Sequence, residues 1–313
     1  MEKRRFNYLS PLLSKGLKFG ILVSPMFASI AMAEKHSLSI GYNTSEYQYF
    51  DAYESTFKPD GGSLGYSYSF SDTWLLNLSY AQQTAKQRWR VSQGEIQGLL
   101  SAAEQDSNAY GLGFSWLGED YSLSLSYSKQ SNSEEALARI PAVIEVIDGD
   151  NQSLNFSYDS ALTSETWEFG YGIGVQYLDS ENLTRQTNLT DPILIATTNF
   201  DQTSWSVFTD LDLSYWVEGE SFTWAPQLTV GWNWEISSDG EPLVLATRGG
   251  ERRVVTRFSD RVLESFKTPD AGYWQIGAFF QWDSGWNLSV STGNTISAEP
   301  EIQSTSIEIG VYF

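Results

Sequence analysis

The sequence predicts an all-β protein, a closed antiparallel transmembrane β-barrel of about twelve strands, with short periplasmic turns and long extracellular loops. Three observations predict it. Apolar residues recur at every second position along most of the chain. Many of the resulting stripes begin and end in Trp or Tyr and alternate with small polar residues. The connections between stripes are short and long by turns.

The stripes follow one another from residue 36 onward. They are Leu38, Ile40, Tyr42; then Leu64, Tyr66, Tyr68, Phe70; then Trp74, Leu76, Leu78, Tyr80. Next come Tyr110, Leu112, Phe114, Trp116, and Tyr121, Leu123, Leu125, Tyr127. Leu154, Phe156, Tyr158 form the sixth, and Trp167, Phe169, Tyr171, Ile173, Val175, Tyr177 the seventh. The eighth is Trp205, Val207, Thr209, Leu211, Leu213, Tyr215. The ninth runs from Phe222 to Trp234 and contains Pro226, which has no N–H to give a ladder. The last three are Trp274 to Trp282, Trp286 to Val290, and Ile307 to Phe313. A repeat of two residues is the mark of a strand with two unlike faces.

A soluble sandwich alternates too, so the two faces decide. Tyr110, Trp116, Tyr121, Tyr127, Trp167, Tyr177, Trp274 and Trp282 sit at stripe ends, where amphipathic rings meet lipid headgroups. The other face is Ser122, Ser124, Ser126, Ser128 in one stripe and Gly170, Gly172, Gly174 in another. That suits an enclosed interior better than a core. Short connections fall at 71–73, 118–120, 160–165, 217–221 and 283–285. Long ones fall at 47–61, 91–107, 130–151, 180–202, 236–270 and 293–301. With both termini periplasmic, every short connection lies on the periplasmic side. Backbone groups cannot go unpaired in hydrocarbon, so the strands must close.

The first 33 residues read as a cleaved signal peptide. Lys3, Arg4, Arg5, Lys15 and Lys18 precede an apolar run from Ile21, which ends in Ala31-Met32-Ala33. Residues 34–313 then form one barrel domain. Without the leader, the chain keeps 14 basic and 38 acidic residues, a net charge of −24. Nucleic acid is a poor partner for such a surface. Mean hydropathy is −0.30, and no run approaches the ~18 apolar residues of a membrane helix. The lack of cysteine excludes disulfides and thiolate metal sites.

Two stretches, GGSLGYSYSFSDTWLLNLSY from Gly61 and AYGLGFSWLGEDYSLSLSY from Ala109, resemble the translocator β-domain of autotransporters. So do the closing hairpin from Gly285 and the spacing of these blocks. The chain end, with Ile309, Val311 and terminal Phe313, resembles the signal by which outer-membrane barrels are recognised for assembly. The resemblance implies a twelve-stranded barrel in the outer membrane of a Gram-negative bacterium, with the assembly machinery as a partner. An autotransporter carries a passenger ahead of its barrel, whereas here only Glu34 to Ser37 separate the cleavage site from the first stripe. The expectation is a solitary barrel without a passenger.

Chemistry is sparse. Gly61-Gly62-Ser63-Leu64-Gly65 matches a nucleophile-elbow pattern, but a strand follows it and His36 is the only histidine. The match is read as accidental. Asp148-Gly149-Asp150-Asn151 holds oxygen donors without the rest of a calcium loop and is read as a polar turn. No catalytic residue, metal site or cofactor is expected. Arg248, Arg252, Arg253, Arg257, Arg261 and Lys267 crowd one outer loop. They suit a hairpin, Leu243 to Thr247 against Arg253 to Phe258, paired with nearby acids. The functional alternative is contact with lipopolysaccharide phosphates, which Lys86, Arg88 and Arg90 would join.

Asp159, Glu168, Asp210, Asp212, Glu235 and Glu308 fall at inward parity, where the central spans hold no Lys or Arg. If the lumen conducts, it should prefer cations. The apolar runs 140–147 and 192–196 either plug the lumen or pack above the rim. The functional readings are a structural or weakly pore-forming outer-membrane barrel, a porin-like channel for small cationic or neutral solutes, and an export pore for another chain's passenger. Oligomeric state is open.

Overall fold

In a computed structural model, residues 35–48, 56–93, 96–139, 142–188, 194–248, 251–254, 270–296 and 301–313 are described. The signal-peptide expectation for 1–33 and the positions Arg257, Arg261 and Lys267 lie outside these residues. Twelve long strands form the wall. They are β1 (His36–Gln48), β2 (Asp60–Ser71), β3 (Trp74–Gln93), β4 (Ile96–Leu117), β5 (Tyr121–Arg139) and β6 (Ala142–Thr163). The circuit continues with β7 (Trp167–Asn188), β8 (Leu194–Tyr215), β9 (Phe222–Arg248), β10 (Ala271–Trp282), β11 (Trp286–Ile296) and β12 (Glu301–Tyr312). Each holds one of the twelve stripes read from the sequence.

Every strand pairs antiparallel with its neighbours in the chain, and β12 pairs with β1 to close the sheet. At that seam His36 N donates to Phe313 O (3.0 Å) and Phe313 N to His36 O (2.9 Å). The two rings stack, with centroids 5.5 Å apart. The register also tilts the strands. A cross-strand row followed from Leu228 on β9 through Ile276, Thr292, Thr305 and Thr44 returns to β9 at Leu243. One residue of that stagger is Ile236, left over at a bulge between Glu235 and Ser237. Such stagger is what closes a sheet with tilted strands.

Burial is inverted relative to a soluble protein. Among the described residues, the buried positions are mostly polar: Ser107, Asn132, Ser180, Gln202, Ser204, Ser206 and Thr229 are all under a tenth exposed. The apolar stripes lie on the outer surface, with Ile40 61%, Phe156 51%, Ile173 53% and Ile309 49% exposed. Alternation produces this directly, because successive side chains leave opposite faces of the sheet. Pro226 is tolerated because the ladder from β9 to β8 begins one residue later, at Gln227. That flank of β9 has no ladder at the proline to break.

Short turns close one rim. Gly118 N donates to Tyr121 O, and Gly219 N to Phe222 O. Gly285 closes another with φ 85°, a value that favours glycine.

The other rim corrects the sequence reading. Residues expected as long loops at 91–107, 130–151 and 180–202 are largely continuous strand. So are residues 236–248. β9 has 27 residues and β4, β6, β7 and β8 have 22 each, whereas β10, β11, β12, β1 and β2 have 11 to 13. One side of the barrel thus continues outward as a tall wall. Apolar alternation fades there because polar residues stand on both faces, as at Asp179, Ser180, Glu181 and Asn182, but the backbone ladder does not need it. Asp148-Gly149-Asp150-Asn151 accordingly lies within β6 and is not a turn. Lys86 pairs with Glu104 across β3 and β4, and that hydrogen bond holds its ammonium above the usual lysine range.

Ile173→Arg, at the middle of an outward stripe, is expected to destabilise the inserted barrel by about 2–4 kcal/mol. Ser126→Ala on the inner face should cost about 1 kcal/mol or less. Denaturant unfolding in lipid vesicles measures both.

Candidate functional site

The candidate site is the lumen and its rims. On β7 the inward positions Gly170, Gly172 and Gly174 leave a groove into which neighbouring strands reach. A Cβ at Gly172 would stand 2.5 Å from Asp210 Oδ2 and 2.7 Å from Asp159 Oδ1. The two carboxylates therefore converge above this glycine, one from each side. A Cβ at Gly170 would meet Asp212 Cβ at 3.2 Å, and one at Gly174 would meet Phe208 Cζ at 2.2 Å. Thr229 Oγ1 donates to Asp212 Oδ1 (2.6 Å), and Ser157 Oγ donates to Asp159 Oδ2 (3.0 Å).

Of the six acids at inward parity, the fold brings together Asp159, Asp210 and Asp212. Glu168 stands at the mouth beside the short turns, accepting from Trp216 Nε1 (3.0 Å). Glu235 marks the bulge on β9, where its backbone N donates to Asp270 Oδ1 (3.1 Å). Glu308 lies on β12, between Gly41 of β1 and Ser289 of β11. Among the described residues no His, Cys, Asp or Glu set is arranged to hold a metal ion. Ser63 sits inside β2 with strand on either side and faces Gly41. His36 is at the opposite end of the neighbouring strand, bonded through Nδ1 to Tyr66 Oη (2.8 Å).

Sequence parity missed the large residues that also enter the lumen. Tyr273 lies over Gly231, whose Cβ would meet its ring at 2.3 Å. Phe279 makes an edge contact with Trp216, centroids 6.2 Å apart. For Tyr273 the available signal was an aromatic at inward parity opposite a glycine on the adjacent strand. Toward the outer rim the lumen wall is a hydrogen-bonded belt. Gln130 Nε2 donates to Ser107 Oγ and Asn132 Oδ1, both at 3.0 Å, and Ser180 Oγ donates to Asn151 Oδ1 (2.6 Å).

The stripe-end aromatics form two bands on the outer surface. Trp116, Tyr121, Trp167 and Trp282 stand by the short turns, and Tyr110, Tyr127, Tyr177 and Trp274 at the opposite ends of their stripes. Ring pairs link them: Trp116 with Tyr121 (5.4 Å), Trp167 with Tyr215 (4.7 Å), Tyr80 with Tyr110 (5.1 Å) and Tyr177 with Trp205 (5.0 Å). In the outer band, hydroxyls reach polar residues on the next strand. Tyr42 Oη donates to Asp60 (3.2 Å), Tyr80 Oη to Asn108 (3.1 Å) and Tyr127 Oη to Gln152 (2.9 Å). This anchors each ring with its polar end toward the rim.

Ile309, Val311 and Phe313 lie on the outward face of β12 at the seam. Leu245, Ala246, Thr247 and Arg248 pair with Val254, Arg253, Arg252 and Glu251; of the arm expected at 253–258, residues 255–258 lie outside the described residues. The register of this hairpin differs by being tighter, closing from Arg248 to Glu251. Arg88 and Arg90 continue β3 above Lys86.

No family model matches the sequence, and no curated protein matches it either. Solved structures do match. The translocator domain of the autotransporter NalP from Neisseria meningitidis superposes with TM-score 0.63 at 10% identity, over 89% of this chain and 88% of that one. The transport unit of the autotransporter AIDA-I from Escherichia coli gives 0.62 at 12% identity, over 97% and 96%. The β-domain of the Bordetella autotransporter BrkA gives 0.56 at 9%, over 90% and 100%. The fold is that of an autotransporter-type outer-membrane β-barrel.

Gly174→Leu is expected to collide with the Phe208 ring and the Phe156 carbonyl and to cost about 1–3 kcal/mol. A lower temperature for loss of the fast-migrating folded band on gels checks it. Gly62→Ala, where the nearest neighbour is 3.6 Å away, should leave that temperature within a few degrees.

Proposed function

We propose that the protein is an integral barrel of the outer membrane of a Gram-negative bacterium, structural or weakly pore-forming, with no chemical reaction of its own. The observation that carries this is the inverted burial: serines, asparagines, Gln202 and Thr229 inside, and Leu, Ile and Phe between two aromatic bands outside. Water cannot cover such a surface without large cost, whereas acyl chains can. Its surroundings are then membrane lipid and lipopolysaccharide, and the sequence expectation that Arg248, Arg252, Arg253, Arg257 and Arg261 contact headgroup phosphates belongs to this reading. Ile309, Val311 and Phe313 are the residues offered to the assembly machinery.

A second reading, a cation-preferring channel for small solutes, is favoured by Asp159, Asp210 and Asp212. They converge on one side of the lumen, and no Lys or Arg occupies a described inward position of the central spans. Uncompensated carboxylates in a confined space attract cations and repel anions. Export of a passenger supplied by another chain is a third reading; it draws on the translocator and transport units named above, and crosslinking to a co-secreted protein tests it.

Planar-bilayer recording separates the first two. A conducting barrel should show cation over anion preference, and the triple variant Asp159→Asn, Asp210→Asn, Asp212→Asn should lower that preference several-fold, by about 1 kcal/mol or more. Absence of current steps removes the channel reading, and anion preference removes the role given to these carboxylates. Heat-modifiable migration in detergent tests the barrel itself; a water-soluble monomer without detergent would end the membrane reading.

A further inference from the structure

The apolar strip on the outer surface does not have one height around the barrel. On β3 it runs from Trp74 to Tyr80, on β4 from Trp116 to Tyr110, and on β5 from Tyr121 to Tyr127. The next outward residues are Gln82, Asn108 and Lys129. The strips cannot extend the other way, because tight turns end them. Leu117 N donates to Thr73 O (2.8 Å) and Gly118 N to Tyr121 O (2.7 Å). On β7 the strip runs from Trp167 to Tyr177 and on β8 from Tyr215 to Trp205, with Asp179 and Thr203 next. At about 3.4 Å per residue and a tilt of about 40°, the first span rises about 15 Å and the second about 25 Å.

The short strip continues across the seam. On β1, β12 and β11 it gives way to Thr44, Thr305 and Thr292, which stand in one cross-strand row. Thr292 Oγ1 and Thr305 Oγ1 are 3.1 Å apart. The short face is open among the described residues, with Ile40, Leu64, Trp74 and Tyr110 exposed. Tilting the barrel cannot correct the difference, since a rigid tilt moves both ends of a strip together.

We propose that the face from β11 round to β5 thins the bilayer beside it, compressing the hydrocarbon there by about 10 Å relative to that against β7 and β8. The inference rests on the membrane-spanning reading above. A bilayer of uniform thickness would bury Gln82, Asn108 and the threonine row in acyl chains. Asn108 is too short to reach the interface and accepts its bond from Tyr80 Oη. Lys129 is tied to Asp150 (3.6 Å) at the polar rim. Lipid deforms more readily than this row of paired polar side chains desolvates.

The chain has no cysteine, so single-cysteine probes report without background. Gln82→Cys and Asn108→Cys on the short face, and Asp179→Cys and Thr203→Cys on the tall one, are labelled with bimane. The full chain is reconstituted in 18-carbon phosphatidylcholine bilayers and quenched with aqueous iodide. Thinning predicts that all four labels are quenched within about twofold of one another, because water follows the strip. Labels at 82 and 108 quenched about fivefold less than those at 179 and 203 overturn it. So does a disulfide-linked dimer through position 82 or 108, which would mean that a second copy covers the face. Failure of every variant to yield a heat-modifiable, protease-protected band would instead defeat the membrane-spanning reading on which the proposal stands.

Discussion

Pairing of every backbone N–H and C=O within the wall is the constraint on which the rest of this structure depends. In hydrocarbon an unpaired peptide group costs several kcal/mol, so twelve strands are stable there only once the last meets the first. The seam of β12 on β1 is therefore more than one ladder among twelve. It runs from Ser37 against Tyr312 to Gln48 against Glu301. Beyond it the reciprocal bonds of His36 and Phe313 carry the pairing to the final residue. The chain's single histidine serves here as an aromatic neighbour of Phe313, Tyr66 and Tyr68.

Closure also dictates what the interior can hold. A tilted twelve-stranded wall encloses a narrow space, and the inward side chains crowd it. Small residues on one strand make room for large or charged ones on the next, as Gly172 does for Asp159 and Asp210, Gly174 for Phe208, and Gly231 for Tyr273. The polar interior is thus a packed and hydrogen-bonded surface. Hydroxyl pairs such as Ser115 with Ser124 (2.9 Å), Ser128 with Ser153 (2.7 Å) and Ser291 with Ser306 (2.8 Å) bridge adjacent strands along it. The same arrangement gathers the carboxylates of Asp159, Asp210 and Asp212 on one side of the interior.

Where the wall leaves the apolar zone, its logic changes. The outward face of β5 and β6 above Tyr127 is held by polar pairs: Ser131 donates to Asp150 (2.5 Å), Ser133 donates to Asp148 (3.0 Å), and Arg185 approaches Asp148 (3.7 Å) from β7. Such exposed pairs contribute little individually. Continuity of the ladder, inherited from the spans below, keeps these strands extended. The height of the wall on β3–β9 and its absence on β10–β2 make the outer rim lopsided, and the lipid-facing strip is lopsided as well.

Strand identity and facing were legible in the sequence because membrane and lumen impose opposite chemistry on successive residues, which is written at every second position. All twelve stripes, the even strand count and the tight turns follow from that. The outer extensions were not legible, since residues such as Asp179, Ser180, Glu181 and Asn182 are polar on both faces and carry no period to read. Nor was the convergence of Asp159 with Asp210, because parity gives the side of the sheet and not the level. By itself, then, the sequence determined which residues face lipid. Only the register of the closed barrel decided which of the inward residues meet, because the stagger between strands is set by pairing around the whole circuit and not by any local pattern.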